Sequence, residues 1–392
     1  MRALSSAVLP LVLALGTAAA ACGDGDDGGS TVPPDLSVEA AGPHAVGVRS
    51  VELADAARAR SLPALILYPA QAPAAPEAGL AIEQVEDPPR STTYAGLLDA
   101  APAGCPTRRL DASLDATPEA GPFPLVVVSH CHECTRFSTA TLAIRLASHG
   151  FVVAAVDHTG NTLWDQLAGG GLPLDGTTLD LRVGDLRFAI GELVRAGAPV
   201  PAALQAAIDP TRIGVLGHSF GAVTAGEVAQ DDARVAAGFA LAAPMENPLL
   251  PGVTVAGITK PLGFLLATED NSITELGNQL IRNNYDGAGG AAYKLEVKDA
   301  GHWSVSDLLG VVPGFMAGCG DGTRQTDGQP FTYVAPATAR DLASAYVTAF
   351  FAATLEDDAG ARAYLTHPRT DGTAIVSGRP APGAPDEGDP SP

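Results

Sequence analysis

Positive charge is scarce in this chain. Its 392 residues carry 23 Lys and Arg against 44 Asp and Glu, a formal net charge of −21. A surface of that sign repels phosphate backbones and anionic headgroups, which excludes nucleic acid as a partner. Charge of either sign is modest, at 17% of residues, while 46% are hydrophobic, so a sizeable core is feasible despite 44 Gly and 32 Pro. Internal repeats are missing, and the N-terminal apolar run over residues 8–15 is too short to span a bilayer. Cysteine is also sparse. Cys131-His132-Glu133-Cys134 has two thiols, a His and a Glu together, but no second CxxC or HxxxH completes a zinc site, so no metal is expected.

The five cysteines are Cys22, Cys105, Cys131, Cys134 and Cys319. Met1-Arg2, the apolar run and the small residues up to Ala21 have the three regions of an export signal. Ala19-Ala20-Ala21-Cys22 reads either as an ordinary cleavage site or as a lipoprotein site with Cys22 acylated. Setting Cys22 aside as an anchor leaves four cysteines, an even number for disulfides in an oxidising compartment, with three possible connectivities. The expected organisation is an export signal over 1–21, a solvated tether over 22–42, one catalytic domain over 43–365 and a disordered Pro- and Gly-rich tail over 366–392. Membrane contact is expected through the lipid anchor alone, at the cell envelope, with simple secretion as the alternative.

Short apolar runs alternate with helical patterns, which predicts an α/β fold with a mostly parallel sheet covered by helices. Strands are predicted over 64–68, 124–129, 151–156, 212–216, 236–242, 262–267 and 293–297, their continuous hydrophobicity implying burial on both faces. Helices are predicted from a Ser138 cap to Gly150, over 180–195 and over 338–355. Residues 70–121 read as a surface excursion, and 158–178 as a lid or acyl-binding wall beyond a strand end.

Gly217-His218-Ser219-Phe220-Gly221 matches G-x-S-x-G between a predicted strand and a helix, the context of a nucleophile elbow. Ser219 as a mere helix N-cap is the alternative. A serine hydroxyl needs a base held by an acid, in the chain order Ser, acid, His. Asp270 follows one predicted strand and His302 the next, so the expected triad is Ser219, Asp270 and His302, with Glu246 as the alternative acid. Asp270 could instead cap a helix over 272–282. The oxyanion donors are expected to be the main-chain N–H groups of Phe220 and of His132, in the loop after the strand 124–129. For Cys131 and Cys134, pinning that loop by disulfides is favoured over a thioredoxin-like redox site.

The elbow, together with Gly42-Pro43-His44-Ala45-Val46-Gly47, Ser148-His149-Gly150-Phe151, Asp157-His158-Thr159-Gly160-Asn161-Thr162 and Gly301-His302-Trp303-Ser304, resembles the bacterial α/β-hydrolases related to platelet-activating factor acetylhydrolase. The resemblance covers most of the chain between the tails. It implies an α/β-hydrolase fold and a serine esterase without cofactor or metal, acting on short or modified acyl esters, phospholipids included. It also points to a family position for the acid near Glu246. Polyester hydrolases, cutinases and lipases are alternatives, as is a non-catalytic envelope binding protein on a hydrolase scaffold.

Overall fold

The computed structural model describes residues 32–72 and 79–382. The export signal and Cys22 lie outside the described residues. The main sheet has ten strands: β1 (Ala45–Asp55), β2 (Arg60–Ala70), β3 (Ser113–Leu114), β4 (Phe123–Ser129), β5 (Val152–Val156), β6 (Ile208–His218), β7 (Val235–Leu241), β8 (Leu262–Ala267), β9 (Ala292–Val297) and β10 (Ala374–Arg379). Their spatial order is β10-β9-β8-β7-β6-β4-β5-β2-β1-β3. Strands β5, β4, β6, β7, β8 and β9 run parallel; β2 joins β5, β1 joins β2 and β10 joins β9 antiparallel. All seven predicted strands are present, and β8 has the predicted bounds.

The central strands alternate between two apolar layers, as the period-two direction of strand side chains requires. Leu65 and Leu67 of β2 face one layer and Ile66 and Tyr68 the other; in β4 the pairs are Val126 and Val128 against Leu125 and Val127. One layer is closed by helices α1 (Arg90–Ala100), α2 (Ala140–Ser148) and α8 (Pro336–Leu355), the other by α4 (Gly176–Val194) and α6 (Phe220–Asp231). Burial on both faces explains why these strands read as unbroken hydrophobic runs.

Four expectations change. The tail assigned to 366–392 contains β10, which pairs with β9 from Ala374 to Arg379, so the folded unit extends beyond residue 365. Within the 22–42 tether, Leu36–Glu39 forms a 3-10 turn whose Val38 is buried in the core. The excursion over 70–121 is packed rather than superficial: Ile82, Tyr94, Leu98 and Cys105 belong to the core, and Tyr94 stacks on Phe137. The N-cap position of α2 is Thr139, which makes no side-chain cap bond, and not Ser138, whose carbonyl accepts Asp307 N–H and Ser306 Oγ–H; the first-turn N–H of Thr141 donates to Asp307 Oδ2 instead.

Candidate active site

The parallel strands end in register along one edge. Ser129 of β4 lies beside Gly217 of β6, and His218 beside Leu241 of β7, so the loops after β4, β6, β8 and β9 meet there. Ser219 connects β6 to α6 with φ 55° and ψ −119°, a left-handed conformation that costs a non-glycine residue about 1–3 kcal/mol and persists only where neighbours enforce it. Ser219 N–H donates to Leu241 O at 2.9 Å and Ala222 N–H donates to Ser219 O at 2.8 Å. Both flanking glycines are dictated by close approach: a Cβ at Gly217 would strike the Gly221 carbonyl, and one at Gly221 the Ser129 carbonyl. Ser219 is thereby turned out of the sheet edge, half-buried rather than enclosed.

His302 and Asp270 approach from the loops after β9 and β8. His302 Nε2 lies 2.9 Å from Ser219 Oγ, and its Nδ1 lies 2.7 Å from Asp270 Oδ2. A carboxylate only accepts, so Nδ1 carries the proton and the Nε2 lone pair faces the serine hydroxyl. The other Asp270 oxygen accepts Ser272 N–H at 2.9 Å and Ile273 N–H at 3.0 Å. That oxygen closes the turn leading into helix α7 (Thr274–Gly287), whose N-cap position is Ile273 with no side-chain cap, so Asp270 holds the histidine and the turn rather than capping a helix over 272–282. The other predicted acid, Glu246, faces elsewhere: its Oε2 accepts Val255 N–H at 2.8 Å.

The His302 loop is strapped down. Trp303 N–H donates to Ala317 O at 3.0 Å, Ser304 Oγ bridges Gly301 and Gly318, and the Cys105–Cys319 disulfide ties the far end of the loop to the segment after α1. His218 packs behind it, its ring 5.3 Å from that of His302 and edge-on to Trp303. Burial, then the neighbouring His302, push the His218 pKa down to about 3, so it stays neutral there.

The second disulfide, Cys131–Cys134, closes the loop after β4, with both cysteines buried. His132 lies within that closure; its ring meets the Phe220 ring edge-on at 5.9 Å, and its Nδ1 accepts from Asn161 Nδ2 at 2.9 Å. Phe220 opens α6, where the first N–H groups have no acceptor inside the helix. The segment 158–178, expected as a wall, stands against this loop: Asn161 also donates to Leu172 O at 3.0 Å, and helix α3 (Leu163–Leu167) buries Leu163 and Trp164.

A second set of the same groups, not expected from the sequence, lies below the first. Ser129 Oγ lies 2.9 Å from His158 Nε2, and His158 Nδ1 3.1 Å from Asp185 Oδ2, all three residues buried. Asp185 also holds Arg58 and Arg60, and Arg182 Nη2 donates to Ser129 Oγ at 3.1 Å. The available signal was in α4. Its buried positions are Thr178, Leu179, Arg182, Val183, Asp185, Leu186, Ala189, Ile190 and Leu193, so two charges sit on a largely apolar stripe.

A family model described as platelet-activating factor acetylhydrolase, isoform II, matches residues 100–164, which run from the end of α1 through β4, the disulfide loop, α2 and β5 into α3. Platelet-activating factor acetylhydrolase of Cavia porcellus is 28% identical over 150 residues, 30% of this chain and 34% of that protein. The Bos taurus protein is 29% identical over 153 residues, with the same coverage. The matched region thus spans about a third of the length of these curated relatives, 34% in each. Among solved structures, a ferulic acid esterase from Streptomyces cinnamoneus superposes with a TM-score of 0.64 at 24% identity, covering 89% of this chain and 98% of that one. The chain has the α/β-hydrolase fold and resembles platelet-activating factor acetylhydrolase.

Proposed function

We propose that the protein is a serine carboxylic-ester hydrolase working through an acyl-enzyme on short-chain or otherwise modified acyl esters. The observation that carries this reading is the chain of hydrogen bonds from a half-buried, strained Ser219 to His302 and on to the buried Asp270. In the first half-reaction Ser219 Oγ attacks the ester carbonyl while His302 Nε2 takes its proton. The tetrahedral oxyanion is held by the N–H groups of Phe220 and His132. Collapse breaks the bond to the leaving alkoxide, which receives the proton from His302. Water then repeats the sequence on the acyl-serine, releasing the acid and restoring Ser219. Asp270 keeps the imidazole in the required tautomer and balances its charge when protonated.

The names of the relatives suggest two ester classes, a phospholipid with a short second acyl chain and a ferulate ester. Hydrolysis rates on aryl acetate, butyrate and octanoate, alongside those two substrates, discriminate them. A steep loss beyond acetate, with turnover of the phospholipid, supports the acetylhydrolase reading. Flat chain-length dependence with ferulate turnover redirects it, and no turnover of any ester contradicts the enzymatic reading. Export to an oxidising compartment belongs to the same proposal, supported by the N-terminal pattern and the two disulfides. Globomycin-sensitive processing with lipid labelling at Cys22 would distinguish anchoring from secretion.

A further inference from the structure

The two residues offered as oxyanion donors share one buried neighbour. Arg182, on α4, is fully enclosed, and a cation taken out of water must be surrounded by acceptors. Its Nη2 donates to His130 O and to Ser129 Oγ, its Nη1 to Asn161 Oδ1 at 2.5 Å and to Cys131 O at 3.5 Å, and its Nε to Thr224 Oγ1 at 3.4 Å. The guanidinium carbon also stands 4.6 Å from the centroid of the Phe220 ring.

Two of these acceptors are consecutive carbonyls of the disulfide loop. Cys131 O is gripped three times, since besides Arg182 Nη1 it accepts Cys134 N–H at 3.3 Å and the proton donated by His130 Nδ1 at 2.7 Å. That donor role is fixed because His130 Nε2 accepts His158 N–H at 3.0 Å, and burial pushes this imidazole well below its ordinary pKa, keeping it neutral. Among the described residues the cis peptides are Pro88-Pro89 and Gly121-Pro122, so the Cys131-His132 unit is trans. Carbonyl and N–H of a trans peptide point in opposite directions. Pulling Cys131 O toward Arg182 therefore aims His132 N–H away from it. Asn161 completes the hold, gripping Nη1 with its oxygen and the His132 ring with its nitrogen.

We propose that Arg182 is the positioning residue of the oxyanion hole, fixing the Cys131-His132 peptide and the Phe220 ring so that both N–H groups meet the ester oxygen. The proposal deepens the serine-esterase reading and rests on it. Its signature is differential, because a donor aimed at the tetrahedral oxyanion stabilises the transition state and not the bound substrate.

The test compares Arg182→Lys with wild type, using aryl acetate kinetics and inhibition by an alkyl trifluoromethyl ketone, which forms a tetrahedral adduct on serine. Lysine keeps the charge but loses the planar fork. Rates are expressed per serine titrated with a fluorophosphonate, so that a misfolded fraction drops out. The expected result is a fall in kcat of about 100-fold with KM within about threefold, and a rise in the ketone inhibition constant by a similar factor. Asn161→Ala, which releases the guanidinium from one side, should show the same split at about 10-fold, and serves if Arg182→Lys does not fold. An unchanged kcat per titrated serine in either folded variant overturns the proposal, as does a kcat loss without weaker ketone inhibition. A wild type that is neither labelled nor active overturns the serine-esterase reading itself. Labelling and turnover by wild type with unaffected variants overturn only the role of Arg182.

Discussion

Two serine–histidine–aspartate sets lie within one molecule, and their hydrogen bonds are close in length: 2.9 and 2.7 Å for Ser219–His302–Asp270, 2.9 and 3.1 Å for Ser129–His158–Asp185. Distance does not separate them. Their surroundings do. Ser219 stands at a strained turn on the sheet edge, half-buried, and Asp270 gives its second oxygen to two backbone N–H groups. Ser129 is enclosed at the end of β4, its oxygen already taking an Arg182 donor, and Asp185 is committed to Arg58 and Arg60. Burial, then the Arg182 charge, push the His158 pKa down to about 4 against the pull of Asp185, so His158 cannot readily accept a proton near neutrality. These differences are why the proposed chemistry is assigned to the upper set and not to the lower one. The difference is made by access and by what else each acid and oxygen already holds.

The largest contrast is between the two serines. Ser219→Ala should lower aryl-ester kcat by roughly 10⁴- to 10⁶-fold. Ser129→Ala should leave kcat within about 10-fold and show its effect as a loss of about 1–3 kcal/mol in urea unfolding, since Arg182 and His158 lose a buried partner. A comparable kcat loss in both variants would erase the distinction. The acids come next. Asp270→Asn should cost about 10⁴-fold in kcat by favouring the wrong imidazole tautomer, whereas Glu246→Gln should remain within a few-fold. Asp185→Asn should instead destabilise by about 3 kcal/mol, because Arg58 and Arg60 lose their shared carboxylate, and kcat of the folded fraction should change little.

Smaller effects test how the upper set is held. The Cys105–Cys319 disulfide spans 214 residues and braces the His302 loop. Replacing both cysteines by serine should cost about 2–5 kcal/mol in urea unfolding, and kcat at 25 °C should survive in the folded fraction because Ser304 and Asp307 still fasten that loop. The smallest expected change is in acid. His158, at about 4, and His218, at about 3, bind protons more weakly folded than unfolded, where histidine titrates near 6.5. Below about pH 6.5 the unfolded chain takes up more protons, so their contribution to stability is complete above neutrality and drains away as pH falls toward 4. Urea midpoints should therefore drop between pH 7 and 5, and His158→Gln should flatten that slope. A slope unchanged in that variant would contradict a buried, neutral His158.

What the sequence made legible follows from which residues carry local signals. The elbow glycines, the apolar parallel strands and the order of Asp270 and His302 behind successive strands are short-range patterns, and they gave the central sheet and the upper set. The outer strands were less visible. β1 alternates buried Val48 and Leu53 with exposed Ser50 and Glu52, and β10 exposes Ile375, so neither forms a continuous apolar run. The segment over 70–121 is rich in Pro and Ala, and its scattered large apolar side chains, Ile82, Tyr94, Leu98 and Leu110 among them, find the core only through tertiary packing. The lower set was hidden because its members come from β4, the loop after β5 and α4, and only the two charges on the apolar face of α4 betray it. The family match at 100–164 covers the disulfide loop and β5 but none of Ser219, Asp270 and His302, so the candidate triad rests on the elbow pattern and on geometry.

The most direct test of the central claim is peptide mapping by mass spectrometry after treatment of the wild-type protein with a fluorophosphonate. One adduct per chain is expected, on the peptide containing Ser219, with parallel loss of aryl-acetate hydrolysis and no label on Ser219→Ala. An adduct at Ser129, or label persisting on Ser219→Ala, would contradict it.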